Sequence, residues 1–293
     1  MSGVRPRGNV ADLVELVRLP AALTVPGDSL AGASTAGWPL GRRTWLLPAA
    51  SACLYWAGMA LNDYADRELD AVERPERPIP SGRVTATRAL QLASGLTAAG
   101  VGLAAVAGGR RALAVAVPLA GAVWTYDLVA KNSPLGPVVM AGARALDVLL
   151  GAAGDVRAGA APALTVAAHT VGVTTLSRGE VHGSRSAVAA AAAANTVAIA
   201  ARVGIPERGR PGLVTSTAAL LAATYAATVG RAQAQAAQSP DATTVRAATG
   251  SGVRGAIPLQ AALTARAGSV GAAVAVVAAG PVARAASRVV STT

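Results

Sequence analysis

The sequence predicts an all-α membrane protein, a polytopic bundle of about nine transmembrane helices. Two features of composition predict this class: the chain of 293 residues is 53% hydrophobic, and only 14% of its residues are charged. A soluble domain carries about 25% charged residues, so the shortage of charge is large. The aliphatic residues also recur in long blocks, separated by short Arg-, Pro- and Gly-containing pieces, as membrane helices and their connections do.

We place nine membrane spans along the chain, each adequate for a hydrocarbon core about 30 Å thick. They lie near residues 11–37, 44–64, 86–107, 112–129, 134–153, 161–180, 186–203, 211–229 and 256–282. The first span contains Arg18 and Asp28 as well as two prolines, so we expect it to be broken or to line a cavity. Residues 231–255 form the longest polar connection, and the sequence leaves open whether it is a flexible loop or a lid.

The formal net charge is +11 at pH 7, and the basic residues stand singly or in pairs between the apolar blocks. This distribution favours contact with lipid headgroups, and it excludes nucleic acid as the expected partner. Basic residues are slightly more numerous on the side of the amino terminus. We therefore expect an integral protein of the cell membrane, a single domain over residues 1–293, with the amino terminus and the active-site loops in the cytoplasm.

An acidic segment and a basic loop stand directly after the second span. Asp63, Asp66 and Asp70 occur at i, i+3 and i+7, so on one helix they share a face. Three acids on one face repel one another unless something positive joins them. The basic loop that follows contains Arg74, Arg77 and Arg83. Acids at a membrane helix end beside arginines suggest a site for a divalent metal and a phosphate-bearing substrate.

The run Asn62–Asp70, Asn-Asp-Tyr-Ala-Asp-Arg-Glu-Leu-Asp, resembles the first aspartate-rich motif of the UbiA superfamily of membrane prenyltransferases. The run Arg77–Arg83, Arg-Pro-Ile-Pro-Ser-Gly-Arg, resembles the segment that follows that motif in the family. The resemblance implies nine helices around a central cavity. It also implies Mg²⁺-dependent transfer of an isoprenyl group, within the lipid bilayer, from an isoprenyl diphosphate donor to an acceptor that the residues do not identify.

The resemblance also implies roles for individual residues. We expect Asp63, Asp66 and Asp70 to be catalytic and to hold Mg²⁺, a hard cation that prefers carboxylate and phosphate oxygen. Lys131, the only lysine in the chain, is expected to be catalytic as well, by contacting the diphosphate. The residues expected to bind substrate are Asn62, Arg77, Arg83, Tyr126, Arg144, Asp147 and Glu180.

Other interpretations of these residues remain open at the level of sequence. Arg77 and Arg83 also fit contact with lipid headgroups, and Lys131 fits simple snorkelling at a helix end. Arg144 and Asp147 stand at i and i+3 inside the fifth span, where they form either a structural ion pair or part of the substrate site.

The second half of the chain departs from the family pattern, in which a second aspartate-rich motif follows the sixth span. The corresponding stretch, residues 175–185, has one carboxylate, Glu180, with His182 nearby. Either one Mg²⁺ suffices, or these two residues make an altered site, or the diphosphate chemistry has been lost. The Ser-Arg-Gly-Glu-Val-His-Gly run is similar to the EboC-like branch of the superfamily.

Three further functions stay in competition with prenyl transfer. A non-catalytic transport or carrier component on the same fold is one, because a fold alone does not give activity. A membrane terpene cyclase that traps its cation internally is the second. A membrane phosphotransferase of the CDP-alcohol kind is the third, and it is disfavoured because Tyr64 stands where that pattern requires Gly.

Overall fold

The computed structural model describes residues 9–18, 26–37, 41–206 and 209–290, and within these ranges every regular element is helical. The helices are α1 (Val10–Leu16), α2 (Pro26–Thr35), α3 (Leu46–Ala65), α4 (Arg67–Glu73), α5 (Ala86–Thr125), α6 (Gly136–Gly151), α7 (Val156–Ser177), α8 (Ser186–Gly204), α9 (Gly212–Tyr225), α10 (Arg231–Gln238), α11 (Ala242–Arg266) and α12 (Val270–Val290). A 3₁₀ turn (Arg42–Trp45) precedes α3, and π-helical turns follow α5 (Tyr126–Ala130) and α9 (Ala226–Gly230). The predicted all-α class is confirmed.

Polar side chains fix several helix starts in this alanine-rich sequence. Thr85 caps α5 by accepting a hydrogen bond from the backbone N–H of Arg88, and Asp155 caps α7 in the same way. Asp241 caps α11 by accepting from the backbone N–H groups of Thr243 and Thr244. Each cap satisfies donors that the first helical turn leaves unpaired, so these caps set where the helices begin.

The long α5 is a hairpin of two antiparallel helical arms rather than one straight rod. Gly109 has φ 57° and ψ −142°, outside the helical region, and the chain reverses there. The indole N–H of Trp124 donates to the hydroxyl of Thr97 across the hairpin, at 3.1 Å. In a straight helix these two residues would lie about 40 Å apart. The two arms confirm the separate spans predicted over residues 86–107 and 112–129.

Replacement of Gly109 by Ala is expected to lower the free energy of unfolding by about 1–3 kcal/mol, because an L side chain is strained at this backbone conformation. A Cβ at position 109 would meet no atom within 4 Å, so the strain alone would be measured. Gly102→Ala is the matched control: that position is helical and equally open, and Ala there should be neutral or slightly stabilising. Thermal unfolding of both variants in detergent checks the difference, and equal melting temperatures would contradict it.

The spans predicted over 44–64, 134–153, 161–180, 186–203 and 211–229 each correspond to a helix of the structure. The first predicted span is split into α1 and α2, and its residues 19–25 lie outside the described residues. The ninth span, 256–282, is wrong as one helix: α11 ends at Arg266, and Gly268, at φ 99°, turns the chain before α12.

The polar stretch 231–255 is also helical, so neither a loop nor a lid is present there. It comprises α10 and the first half of α11, joined by a short turn at residues 239–241. Its polar side chains find partners inside the bundle: buried Gln233 accepts a hydrogen bond from the hydroxyl of Thr196, at 2.7 Å. Polar composition alone suggested a loop, but alanine favours helix and tertiary contacts satisfy the polar groups.

The outer surface of the bundle is apolar, as expected for a protein whose solvent is lipid. Large aliphatic side chains lie at least half exposed on several helices, at Val106, Val117, Leu164, Leu213 and Leu220. Among the described residues, three helical segments are long and apolar enough to cross a membrane: Ala86–Ala130, which is the hairpin, Ser186–Gly204 and Gly212–Gln238. The chain is thus a polytopic helical membrane protein.

Glycines allow α2 and α6 to pack backbone against backbone. A Cβ at Gly32 would collide with the carbonyl oxygen of Val148, and a Cβ at Gly151 would collide with that of Ser29. Small residues are the usual means by which membrane helices approach this closely. The approach matters for the interior because it brings Asp28 of α2 beside Arg144 of α6.

Candidate functional site

The predicted acid motif lies where α3 ends and α4 begins. Asp63 is in the last turn of α3, Asp66 is the junction residue with φ −90° and ψ 4°, and Asp70 lies on α4. The three acids therefore do not lie on one continuous helix, because the chain bends at Asp66. The bend nevertheless keeps Asp63 and Asp70 together, both buried and facing the same guanidinium group.

A basic side chain contacts each carboxylate of the motif. Arg77 Nη1 lies 2.6 Å from Asp70 Oδ2 and 3.5 Å from Asp63 Oδ1. Lys131 Nζ lies 2.6 Å from Asp66 Oδ1 and donates to Asn62 Oδ1 at 3.3 Å. The structure thus brings together six residues that the sequence assigned to the site: Asn62, Asp63, Asp66, Asp70, Arg77 and Lys131.

Arg18 also belongs to this site, a position that the sequence reasoning missed. Its Nη2 donates to Asp63 Oδ1 at 3.0 Å, across 45 residues of chain, and its Nη1 lies 3.7 Å from the sulfur of Met59. Arg18 has φ 49°, which is uncommon for a residue other than glycine. The signal in the sequence was a charge inside an apolar segment, but nothing in the sequence named its partner.

Lys131 is positioned by a π-helical turn at the end of α5. Its backbone N–H donates to the carbonyl of Tyr126, five residues earlier, at 2.9 Å. This turn is followed by a largely buried Lys131 side chain that points to the acid motif instead of to lipid headgroups. Turns of this kind occur frequently at functional sites.

Arg83, by contrast, fastens α1 to the basic loop. Its Nη1 lies 2.9 Å from Asp12 Oδ1 and 2.6 Å from Glu15 Oε2, and its Nη2 donates to the backbone carbonyl of Glu76 at 2.8 Å. The hydrogen bonds that Arg83 donates to Glu15 raise the pKa of Arg83 above its ordinary value, with Asp12 adding to the effect. The structure therefore does not bring Arg83 into contact with the acid motif, and its predicted role in diphosphate binding stays a prediction.

Arg83→Ala is expected to loosen α1 and to lower the free energy of unfolding by about 1–2 kcal/mol. The expected loss is kept this small because Glu15 is half exposed, so solvent screens its ion pair with Arg83. Arg83→Lys should recover only part of this, since Arg83 donates to both carboxylate oxygens of Glu15, from Nη1 at 2.6 Å and from Nη2 at 2.9 Å, and an ammonium group cannot bind in this bidentate way. Because Arg18 directly follows α1, the Ala variant should also weaken donor binding. Thermal unfolding and donor titration of both variants check this, and an Ala variant with unchanged melting temperature would contradict it.

Glu180 takes part in the structure through its backbone. Its carbonyl oxygen accepts a hydrogen bond from Arg246 Nη2 at 3.0 Å, and Arg178 donates to the carbonyl oxygen of Ser133. These contacts place the α7–α8 connection at the same end of the bundle as Lys131. In the described part of the chain, no hydrogen bond or ion pair joins the Glu180 side chain to the acid motif.

A cavity of about 830 Å³ lies inside the bundle, next to the acid motif, whose three aspartates are not among its lining residues. Arg18, Asn62, Tyr126 and Asp127 line it at the end of the acid motif. Apolar side chains and small residues line its middle, among them Leu54, Gly58, Leu119, Val123 and Ala143. Polar residues return further along, where Asp28, Ser51, Arg144, Asp147 and Gln260 line the wall. Ser51 precedes Asp63 by 12 residues on α3, so the two polar ends are separated by about 18 Å.

The deep polar end contains an ion pair between helices, in which Asp28 is buried and Arg144 is partly exposed towards the cavity. Arg144 donates through Nε and, at 3.1 Å, through Nη2 to the carboxylate of Asp28, to which Gln260 Nε2 also donates at 2.8 Å. Asp147 instead accepts from the hydroxyl of Ser51 at 2.8 Å. An ion pair between Arg144 and Asp147 on one helix is therefore wrong, because packing of α2 against α6 supplies Arg144 with a nearer partner.

In the ranges that the structure describes, no three Cys, His, Asp or Glu side chains converge on one point as they would around a metal ion. Asp63 and Asp70 do converge on one cationic atom, the Nη1 of Arg77, while Asp66 faces Lys131. Hard carboxylate oxygens that already share a cation are the donor type that suits Mg²⁺. The three-carboxylate metal site stays a prediction.

Known proteins resemble this chain both in sequence and in fold. The sequence model of the UbiA prenyltransferase family matches residues 21–237. Digeranylgeranylglyceryl phosphate synthase from Methanopyrus kandleri is 44% identical over 90 residues, which cover 31% of this chain and 33% of that protein. The synthase of that name from Halobacterium salinarum is 37% identical over 134 residues, 42% of this chain and 45% of that protein. The matched region thus spans less than half the length of these relatives.

Solved structures share the fold over most of the chain. A structure of digeranylgeranylglyceryl phosphate synthase in membranes matches with a TM-score of 0.63 at 17% identity, covering 87% of this chain and 97% of that one. A UbiA homologue from Archaeoglobus fulgidus, bound to DMAPP and Mg²⁺, matches with a TM-score of 0.59 at 14% identity, covering 88% and 98%. At these identities the likeness shows a common fold.

Proposed function

The chain belongs to the UbiA prenyltransferase family, and from this premise we propose that it transfers an isoprenyl group from an isoprenyl diphosphate to an acceptor within the membrane. Membership confirms the resemblance carried by the acid motif, while the EboC-like branch stays a prediction. The observation that carries the proposal is the cluster of three carboxylates and three cations beside an 830 Å³ cavity, which Arg18 and Asn62 line at that end.

The acid cluster supports the activation of a diphosphate donor. Asp63, Asp66 and Asp70 are the residues that would hold Mg²⁺, and the bound ion would supply Lewis-acid stabilisation of the leaving group. Each carboxylate has a basic partner. When Mg²⁺ and a diphosphate bind together, the cation can replace the basic side chains at the carboxylates and the diphosphate can replace the carboxylates at the basic side chains. Arg77, Lys131 and Arg18 then become free to donate hydrogen bonds to the diphosphate, with Asn62 and Tyr126 beside them.

The cavity supports a hydrocarbon substrate. Its middle is lined by aliphatic and small side chains, and a volume of about 830 Å³ lies within the range of about 300–1,000 Å³ usual for small-molecule sites. We assign Arg144 and Asp147 to the far end of this cavity, where they would contact the part of a substrate most distant from the diphosphate. Water is displaced along the apolar middle, which strengthens the electrostatic contacts at the acid cluster.

The acceptor we propose is an alcohol hydroxyl. The relatives from Methanopyrus kandleri and Halobacterium salinarum are named digeranylgeranylglyceryl phosphate synthase, so a prenylated glyceryl phosphate is the acceptor to test first. Glu180 is proposed to assist substrate binding from the α7–α8 connection, at the same end of the bundle.

We propose that the acid cluster faces the cytoplasm of a cell-membrane protein. The acid motif, Lys131 and the α7–α8 connection all lie at one end of the bundle, which is the end that the slight excess of basic residues assigns to the cytoplasm. Labelling of introduced cysteines in intact cells, after Cys53→Ala, tests this orientation.

Pyrophosphate release by the purified chain in nanodiscs tests the function. The donors are geranyl, farnesyl and geranylgeranyl diphosphate, each with Mg²⁺ or with EDTA, and each with and without geranylgeranylglyceryl phosphate. We expect release that requires Mg²⁺ and is faster when the acceptor is present. Mg²⁺-dependent donor binding without release from any donor would instead support a non-catalytic carrier.

A further inference from the structure

Asp127 is a buried carboxylate in the π-helical turn after α5. It does not belong to the acid motif, and the proposed donor site gives it no role. It is 6% exposed and lines the cavity between Tyr126 and the apolar middle. Within the described ranges, no side chain or backbone group donates a hydrogen bond to it. We propose that Asp127 is the general base that takes the proton from the acceptor hydroxyl; this inference rests on the proposed function.

The position of Asp127 fits the place where the new bond forms. Its Oδ2 lies 3.7 Å from the point that a Cβ on Gly58 would occupy. Gly58 precedes Asn62 by four residues on α3, so Asp127 lies about 6 Å further into the cavity than the end that would hold the diphosphate. The allylic carbon of a donor follows directly after its diphosphate. The carboxylate therefore faces the level of the reacting carbon and not the phosphates.

The other acids that line the cavity lie at its far polar end. Asp28 is bound by Arg144 and Gln260, and Asp147 accepts from Ser51 through Oδ2, while its buried Oδ1 has no hydrogen-bond partner. Near Asp127 the charged groups are Lys131, Asp66 and Asp63, and Lys131 is engaged by Asp66 and Asn62. A carboxylate with free lone pairs beside an apolar chamber is suited to accept a proton from a bound ligand.

The step balances as an alkyl transfer. The C–O bond between the allylic carbon and the diphosphate breaks, and its electron pair leaves with pyrophosphate. The acceptor oxygen forms the new C–O bond, and its proton passes to Asp127, which returns it to water when the product leaves. A neutral hydroxyl needs such a base because the ether oxygen cannot keep its proton, which gives Asp127 a role specific to acceptors with an O–H group.

The test compares two acceptors in the full chain: geranylgeranylglyceryl phosphate and its analogue with a thiol in place of the free hydroxyl. Geranylgeranyl diphosphate and Mg²⁺ are supplied at pH 9, where a thiol of pKa about 8.5 is largely ionised and needs no base. In Asp127→Asn we expect transfer to the hydroxyl to fall by about 10²–10⁴-fold, with transfer to the thiol and donor binding within about threefold of wild type. Asp127→Glu should restore part of the hydroxyl transfer.

Asp155→Asn is the matched control, because Asp155 caps α7 outside the cavity and Asn caps a helix equally well. Equal loss with both acceptors, or loss of donor binding, would overturn the assignment of Asp127 as a base. Hydroxyl transfer at the wild-type rate in Asp127→Asn would do the same while leaving the proposed function standing. A wild-type chain that releases pyrophosphate yet transfers to neither acceptor would overturn the hydroxyl assignment, and one that releases none would contradict the proposed function as well.

Discussion

Asp66→Asn is expected to reduce Mg²⁺-dependent pyrophosphate release by at least about 100-fold, the scale of losing one preorganised charge at a reacting centre. The substitution keeps the shape of the side chain and removes its charge. Asp66 Oδ1 lies 2.6 Å from the Nζ of Lys131, whose side chain is only 12% exposed, so the variant leaves a buried ammonium group without its counter-ion. Both the proposed metal ligand and the placement of Lys131 are lost together.

The same motif offers a control for this prediction. Glu68 lies two residues after Asp66, its side chain is 86% exposed, and it forms an ion pair with the neighbouring Arg67. Glu68→Gln should therefore leave pyrophosphate release unchanged, since an exposed pair contributes little. Initial rates at saturating Mg²⁺, with geranylgeranyl diphosphate as the donor, measure both variants. Full activity in Asp66→Asn would remove this residue from the metal site.

Asp28→Ala is expected to lower the free energy of unfolding by about 1–3 kcal/mol, less than the about 3–5 kcal/mol of a fully buried pair, because the Arg144 side chain is 35% exposed towards the cavity. The variant leaves the guanidinium group of Arg144 in the membrane interior without its counter-ion, and it removes the acceptor to which Gln260 donates.

A double variant separates the loss of pairing from the loss of packing. Asp28→Ala combined with Arg144→Met removes both charges and keeps a side chain of similar length. We expect it to recover most of the stability lost in the single variant, because no unpaired charge remains. Thermal unfolding in one detergent measures the three proteins. A double variant as unstable as Asp28→Ala would show that the site needs these side chains for more than charge balance.

The sequence predicted a helix correctly where the segment is more apolar than the residues on either side of it. The spans with continuous apolar stretches, such as 186–203 and 211–229, were placed correctly because an apolar helix has few alternatives in lipid. The segment 231–255 was not placed correctly, because its polar side chains are typical of a loop between spans. Their partners, such as Thr196 for Gln233, lie on other helices and carry no local signal.

The acid site shows the same division at the level of single residues. Asp63, Asp66, Asp70, Arg77 and Lys131 could be found from spacing, family resemblance and, for Lys131, its rarity. Arg18 could not, because its contact with Asp63 spans 45 residues. Asp127 could not either, because an acid next to Tyr126 has no distinguishing pattern until the cavity surrounds it.

By itself, the sequence determined that this chain is a helical membrane protein of a prenyltransferase family with an acid motif followed by a basic loop. Composition and local spacing suffice for these properties, because the hydrophobic effect and helix geometry act over a few residues. Only the tertiary structure decided that Arg144 pairs with Asp28, 116 residues away, rather than with Asp147 on its own helix. The pairing of buried charges depends on which faces of two helices pack together. Close packing at Gly32 and Gly151 determines which faces of α2 and α6 are in contact, and the periodicity of either helix does not.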